Sequence, residues 1–100
     1  MRIVRYDGPG LVRLAFHGEL DLATVGLVDH GVTAALAGAP GRLVLDVSAL
    51  TFCDSSGIDA LLTARSAAEA RGVACQVTGP RGIVRRSMAA TGVLDLLTAG

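Results

Sequence analysis

A chain of 100 residues suffices for one small domain and is too short for two, so a single domain over 1–100 is expected. Apolar residues make up 51% of the chain and aromatic residues only 3%, which predicts a continuous but mainly aliphatic core. The formal net charge is zero, which argues against nucleic-acid binding, because a nucleic-acid-binding surface needs excess positive charge against the phosphates.

Neither a membrane span nor a metal site is expected. Residues 1–5 show no signal-peptide pattern, and no apolar run approaches the roughly 18 residues of a membrane helix. We therefore expect a cytoplasmic protein in which Cys53 and Cys75 stay reduced and act as small buried apolar side chains. These cysteines have no metal-ligand spacing with His17 or His30. No metal and no cofactor are expected.

The chain is expected to begin with two strands, at 2–7 and 11–19. In the second strand, apolar residues from Val12 to Phe16 alternate with polar or small ones, as in a strand that is buried on one face. Between the strands lies the turn sequence Asp7-Gly8-Pro9-Gly10. It predicts an antiparallel hairpin.

A helix is expected over 23–37, with Asp21 or Thr24 as its N-cap and the Gly- and Pro-rich segment 38–41 as its end. The nearly continuous apolar run at 42–47 follows. Such a run is typical of a strand that is covered on both faces, in a sheet with parallel crossovers.

The second half continues this alternation of helices and strands. A helix is expected at 56–71, a strand at 73–78, a helix with Pro80 in its first turn and Gly92 at its end, and a short helix or turn at 93–97. The inward-facing residues of the third helix are expected to be Ile83, Val84 and Met88. The element order predicts an α/β fold with a mixed, mainly parallel four-stranded sheet and an N-terminal β-hairpin, flanked by three to four helices.

The turn Asp54-Ser55-Ser56-Gly57 is the most informative segment for function. It follows the buried strand after a short loop and opens the second helix, where Ser55 or Ser56 can serve as N-cap. A helix N-terminus carries partial positive charge and free N–H groups, so it accommodates a phosphate without unfolding. The phosphate would place up to two negative charges beside Asp54 and Asp59 and would repel a partner shaped for a neutral hydroxyl. From the residues alone, ordinary helix capping is the more common explanation of such a motif.

Several segments make the chain resemble the STAS domain family, and in particular the bacterial anti-sigma factor antagonists. The segments are Gly18-Glu19-Leu20-Asp21, Leu43 to Val47 with Leu50-Thr51-Phe52, Asp54-Ser55-Ser56-Gly57-Ile58, and Gly79-Pro80 through Val84-Arg85-Arg86 to Thr91-Gly92-Val93. They occur in family order and extend over nearly the whole chain.

The resemblance implies a non-enzymatic switch protein. In the family, the unphosphorylated protein binds an anti-sigma factor with a histidine-kinase-like ATP-binding fold and thereby releases a sigma factor. That partner phosphorylates the first serine of the motif, which is Ser55 here, and a PP2C-type phosphatase removes the phosphate. A monomer or weak dimer is expected, without nucleic-acid or membrane partners. The expected partner-binding residues are Glu19, Asp21, Asp54, Ser55, Ser56, Gly57 and Asp59.

The chain departs from the family at Cys53, where relatives usually carry a bulkier apolar residue, and at Asp59, where many carry a small or apolar one. Asp59 can either strengthen the repulsion after phosphorylation or simply favour the first helical turn. The same fold also serves as a scaffold subunit of stress-signalling complexes or as the cytoplasmic subunit of lipid-transport ATPases. A hydrolase is disfavoured because the chain has no Gly-x-Ser-x-Gly elbow.

Overall fold

The computed structural model describes residues 1–99, which form one four-stranded sheet and four helices. In chain order the elements are β1 (Arg2–Gly8), β2 (Leu11–Leu20), α1 (Val25–Ala37), β3 (Arg42–Cys53), α2 (Ser55–Glu69), β4 (Ala74–Thr78), α3 (Gly82–Ala90) and α4 (Leu94–Thr98). The spatial order is β1-β2-β3-β4; the first pair is antiparallel and the other two pairs are parallel. The predicted mixed sheet with its N-terminal hairpin is confirmed.

One face of the sheet carries the core. In β3, Leu43, Leu45 and Val47 are completely buried and join one cluster with apolar residues of all four helices. Between them, Val44 and Asp46 are only partly buried. The expectation that this strand is covered on both faces was therefore wrong. The second face meets solvent and carries polar residues, including an ion pair of 3.0 Å between Arg13 and Asp46.

The third strand is longer than predicted. A loop was expected at 48–53, but β3 continues through these residues, and Cys53 pairs with Leu20 of β2. The register between β2 and β3 is interrupted in two places, so the alternation of buried and exposed residues is lost. Leu50 and Cys53 are both buried although they lie three residues apart. A strand with this spacing does not show the period of two that identifies strands in a sequence.

The third helix begins later than predicted. Gly79 has a φ of +71°, and a Cβ there would lie 2.8 Å from the Cβ of Ser48, so the chain passes close to β3 before it turns. Arg81 is extended and the helix starts at Gly82, which leaves Pro80 outside it. Val84 faces inward as predicted, but Ile83 is 46% exposed, because neighbouring helical residues point about 100° apart.

No helix within residues 1–99 combines the length and the apolar character that a membrane crossing requires. The remaining boundaries agree with the prediction within one or two residues.

Candidate functional site

The ends of the two central parallel strands bring the predicted site residues together. β2 ends at Leu20 and β3 ends at Cys53, and these two residues are paired. The N–H of Asp54 donates to the carbonyl oxygen of Leu20 over 3.2 Å. The end of β2 with Glu19 and the following loop with Asp21 are therefore joined directly to the turn at 54–57. Ligand-binding loops of open α/β sheets commonly lie at this carboxyl edge.

Asp54, rather than a serine, caps the second helix. Its backbone is extended, and its Oδ1 accepts hydrogen bonds from the N–H of Gly57 at 3.0 Å and from the hydroxyl of Ser56 at 2.6 Å. The prediction of Ser55 or Ser56 as N-cap was wrong, because the helix already begins at Ser55. The residue before the first helical residue is the one placed to satisfy free N–H groups of the first turn.

The two serines of the turn are consequently different. The hydroxyl of Ser56 is held by Asp54, whereas the side chain of Ser55 is exposed and makes no hydrogen bond to another residue within 1–99. Hydrogen bonds from the Ser56 hydroxyl and then from the Gly57 N–H lower the pKa of the Asp54 carboxyl below its ordinary value. The turn thus presents one free hydroxyl next to a carboxylate that is ionised at neutral pH.

Gly57 is required at its position by close packing. A Cβ there would lie 2.8 Å from Sγ of Cys53, 2.8 Å from Cγ of Leu20 and 2.9 Å from the carbonyl oxygen of Leu20. Only a residue without a side chain lets the first turn of α2 pack this closely on the ends of β2 and β3. The glycine therefore sets the position of the serines relative to the sheet.

Cys53 has a structural role at the same junction. It is buried, and burial, with a smaller contribution from the charge of Asp54, raises the pKa of its thiol to about 11. The side chain is therefore a neutral thiol at physiological pH and fills space beneath the turn.

The loop that follows β2 is ordered by its own polar side chains. The carboxylate of Asp21 accepts from the N–H of Ala23 at 3.0 Å, and the Thr24 hydroxyl donates to the carbonyl oxygen of Glu19 at 3.1 Å. Thr24 occupies the N-cap position of α1, but its side chain does not cap the helix. Neither predicted side-chain cap is therefore formed: Asp21 and Thr24 shape the loop, and the Glu19 side chain stays exposed beside the turn.

Three exposed apolar residues on the segments that meet at this edge were not assigned to the site from the sequence. Leu22 is 77% exposed, Phe52 37% and Ile83 46%; we call these three residues the apolar rim. Ile83 also lines a groove of about 340 Å³ against residues 48–51 of β3. Exposed apolar residues around a polar centre are typical of protein-binding surfaces. In the sequence they were indistinguishable from core residues.

Asp59 lies four residues after Ser55 in α2, so the two exposed side chains are neighbours on one face of the helix. Asp59 forms no hydrogen bond with residues 54–57. Among residues 1–99, no group of three or more His, Cys, Asp or Glu side chains is arranged to hold a metal ion.

The stability of the turn should depend on pH through Asp54. Because its pKa is lowered in the folded state, the ionised carboxyl stabilises the fold above the unfolded value of about 3.9, and this stabilisation is lost as the pH falls through the folded value. We expect Asp54→Asn to lower the free energy of unfolding at pH 7 and to flatten its decrease below about pH 4. Urea denaturation at a series of pH values measures both effects.

The matched variant Asp59→Asn removes an exposed carboxylate of the same helix that does not bond to the turn. It should lower the free energy of unfolding at pH 7 less than Asp54→Asn does. Parallel pH profiles for wild type and Asp54→Asn would contradict the assignment of Asp54 as the charged cap.

Comparison with known proteins gave one family and a set of related structures. The family model described as "STAS domain" matches residues 2–99. No curated protein sequence matches the chain. A crystal structure of an anti-sigma factor antagonist from Mycobacterium paratuberculosis is 27% identical, has a TM-score of 0.79, and aligns over 98% of this chain and 82% of that one.

Two further structures come from different kinds of protein. The anti-sigma factor antagonist SpoIIAA in its unphosphorylated form is 24% identical, with a TM-score of 0.80 over 97% of this chain and 85% of that one, and shows the same fold. The murine anion transporter Slc26a9 is 26% identical over 90% of this chain, with a TM-score of 0.74, but the alignment covers only 15% of the transporter.

Proposed function

The chain belongs to the STAS domain family, and on that premise we propose that it is an anti-sigma factor antagonist inactivated by phosphorylation of Ser55. The unphosphorylated form binds an anti-sigma factor with an ATP-binding kinase fold, and this binding releases a sigma factor. A PP2C-type phosphatase restores the active form. The mycobacterial structure, an anti-sigma factor antagonist at 27% identity, supports this choice within the family.

One observation carries the assignment to Ser55: it has the free hydroxyl of the turn, while the hydroxyl of Ser56 is bound to Asp54. A kinase needs a hydroxyl that it can reach without breaking the fold. Ser55 is the first residue of α2, a helix of 15 residues, so a phosphate on it would meet the positive end of the helix dipole. The modified protein should therefore stay folded.

The effect of the phosphate would be electrostatic. The surface around Ser55 carries the carboxylates of Asp54 and Asp59, and Glu19 and Asp21 lie at the adjoining end of β2 and in its loop. Phosphorylation adds up to two further negative charges. A partner that accepts the unmodified surface would then face excess negative charge, and like charges brought together at an interface cost several kcal/mol. The apolar rim supplies affinity in the unphosphorylated form. The switch thus changes affinity and leaves the fold intact.

Displacement of a sigma factor tests the function directly. We expect the purified protein to form a complex with an anti-sigma factor of the ATP-binding class from the same genome, and to release the sigma factor bound to it. Size-exclusion chromatography of the three-protein mixture measures the exchange. If no anti-sigma factor of that genome binds the unphosphorylated protein, the proposed function is wrong.

The contribution of the apolar rim has a closely matched control. Ile83 and Leu96 are each 46% exposed, but Ile83 lies at the carboxyl edge of the sheet and Leu96 lies on α4. We expect Ile83→Ser to weaken anti-sigma factor binding about tenfold, a moderate loss for an apolar interface residue. Leu96→Ser should leave the affinity within about twofold of wild type. Titration calorimetry measures both. Equal effects of the two variants would exclude the rim from the interface.

A second candidate function follows from the likeness to the anion transporter. In that case the chain would work as the STAS component of a larger assembly, such as a lipid-transport ATPase or a stress-signalling scaffold. The protein would then co-purify with a transport or scaffold subunit, and Ser55→Ala would not alter its regulation.

A further inference from the structure

The two edges of the sheet differ in how they are covered. At the β4 edge, α4 packs against the strand, and the side-chain amide of Gln76 donates to the carbonyl oxygen of Thr98 over 3.0 Å. At the β1 edge, five of the seven residues of the strand are exposed. An exposed strand edge offers its N–H and C=O groups for pairing with a further strand. The β1 edge is therefore where another chain can extend the sheet.

The hairpin fixes which backbone groups of β1 point outward. Gly8 and Leu11 are paired across the two-residue turn, as the hydrogen-bonded first and fourth residues of the β-turn that closes a hairpin. Hydrogen-bonded and non-hydrogen-bonded pairs alternate along an antiparallel ladder. The N–H and C=O groups that point away from β2 therefore belong to Ile3, Arg5 and Asp7.

The charges on this edge are complementary to themselves. Edge strands commonly carry charged side chains that discourage pairing with other chains. β1 carries Arg5 and Asp7, which have opposite signs, lie two residues apart and share one face of the strand. They form an ion pair of 3.0 Å, yet their side chains remain 40% and 62% exposed. Both groups are therefore open to a second opposite charge from a neighbouring strand.

We propose that β1 pairs with β1 of a second copy of the chain, antiparallel and about a two-fold axis at Tyr6. Arg5 of each copy then lies opposite Asp7 of the other, and the two sheets join edge to edge. Every charge in this cluster has one opposite charge beside it on its own strand and one across the interface. The pairing also satisfies the outward-pointing backbone groups of Arg5 and Asp7 in both copies.

Charge selects this register among the possible ones. The outward-pointing groups allow the two-fold axis to pass through any residue from Ile3 to Asp7. An axis at Arg5 or at Asp7 would set like charges opposite each other, which destabilises a strand pair. An axis at Ile3 or at Val4 would set Arg5 opposite an apolar residue. Only an axis at Tyr6 sets Arg5 opposite Asp7.

The axis also accounts for an exposed aromatic ring. Tyr6 is 47% exposed on the open face of the sheet, where the guanidinium carbon of Arg13 lies 4.1 Å from the centre of its ring. Across the axis, Tyr6 would face its own copy in a non-hydrogen-bonded pair, in which side chains approach most closely. Aromatic cross-strand pairs stabilise a sheet. The interface shares no residue with the turn at 54–57, so its test does not depend on the proposed switch.

Disulfide trapping tests the register. The Cα atoms of a non-hydrogen-bonded pair are about 4.5 Å apart, which lies within the range that a disulfide bridges. We therefore expect Tyr6→Cys to form a disulfide-linked dimer under mild oxidation. The native Cys53 and Cys75 are buried, and burial raises the pKa of each thiol to about 11, so they should contribute little background.

Two further cysteine variants serve as controls. Val4→Cys would cross-link efficiently only if the axis lay at Val4, and Ser66→Cys, exposed on α2, measures random collisions. The yield of dimer from Tyr6→Cys should exceed that from either control at least about tenfold. Non-reducing electrophoresis measures the yields.

A charge exchange tests the ion pairs. We expect sedimentation at low salt to show a weak wild-type dimer with a dissociation constant on the order of 100 μM. Arg5→Asp and Asp7→Arg each set like charges opposite one another, so each variant alone should dimerise at least about tenfold more weakly. In an equimolar mixture, opposite charges face each other in both pairs, and association should return to at least the wild-type level. Arg85→Asp, an equal change of net charge on α3, should leave the dimer unchanged.

Thermal denaturation confirms that each variant is folded. The proposal is overturned if the wild type stays monomeric at about 1 mM, which would leave the edge to a strand of a different protein. It is equally overturned if folded Tyr6→Cys cross-links no better than Ser66→Cys, or if Val4→Cys cross-links in its place. A mixture of the two folded charge variants that associates no better than each variant alone would also contradict it.

Discussion

Substitution of Ser55 by Asp is expected to weaken binding to the anti-sigma factor about 10- to 100-fold, whereas Ser55→Ala should bind like wild type. The aspartate adds one negative charge to a surface that already carries ionised Asp54, and like charges at an interface cost several kcal/mol. Alanine adds no charge, and the Ser55 hydroxyl makes no hydrogen bond within the described chain, so its loss should cost little. Titration calorimetry at low salt measures the affinities.

Ser66→Asp is the matched control for this experiment. Ser66 is an exposed serine on the same helix, about three turns beyond Ser55, so the variant changes the net charge equally without placing a charge at the site. Its affinity should stay within about twofold of wild type. The effect of Ser55→Asp should also shrink at high salt, because exposed charges are screened. If Ser55→Asp and Ser55→Ala bind alike, the electrostatic account of the switch is wrong.

Gly57→Ala is expected to lower the free energy of unfolding by about 1–3 kcal/mol. The new Cβ would lie 2.8 Å from Sγ of Cys53 and 2.9 Å from the carbonyl oxygen of Leu20, and neither the buried cysteine nor the backbone can move cheaply. Either α2 shifts away from the strand ends or the strands separate. Urea denaturation measures the change.

The same substitution at Gly31 should have the opposite sign. Gly31 lies in the middle of α1, and a Cβ there would be 3.7 Å from the nearest side chain, an ordinary contact distance. Since alanine favours a helix interior over glycine, Gly31→Ala should raise the free energy of unfolding by about 0.5–1 kcal/mol. If Gly57→Ala left the free energy of unfolding unchanged, the close packing of the turn on the ends of β2 and β3 would be contradicted.

The order and type of the elements were predictable because most strands and helices follow simple periods. Val12 to Phe16 alternate in β2, and Val28 and Val32 of α1 lie one helical turn apart and are both buried. The end of β3 was not predictable in this way. Leu50 and Cys53 are three residues apart in the sequence, yet both side chains are buried because the register between β2 and β3 is irregular. A search for alternation with a period of two therefore misses this part of the strand.

The composition of the candidate site was predictable in part. The motif Asp54 to Gly57 is evident in the sequence, but which of its residues caps the helix depends on where the helix begins, and sequence patterns locate helix ends poorly. The apolar rim was missed because exposure depends on tertiary packing. From the sequence, Ser55 was selected over Ser56 through the family resemblance. The structure adds a physical difference between the two serines, since Ser56 alone is bound by Asp54.

The most direct test of the central claim is to locate the phosphate. The protein would be incubated with its anti-sigma factor kinase and ATP, and then examined by intact mass spectrometry and phosphopeptide mapping. We predict a single phosphate on Ser55, none on the Ser55→Ala variant, and continued phosphorylation of Ser56→Ala. A phosphate on Ser56, equal phosphorylation of Ser55→Ala, or no phosphorylation of the wild-type protein would contradict the proposed switch.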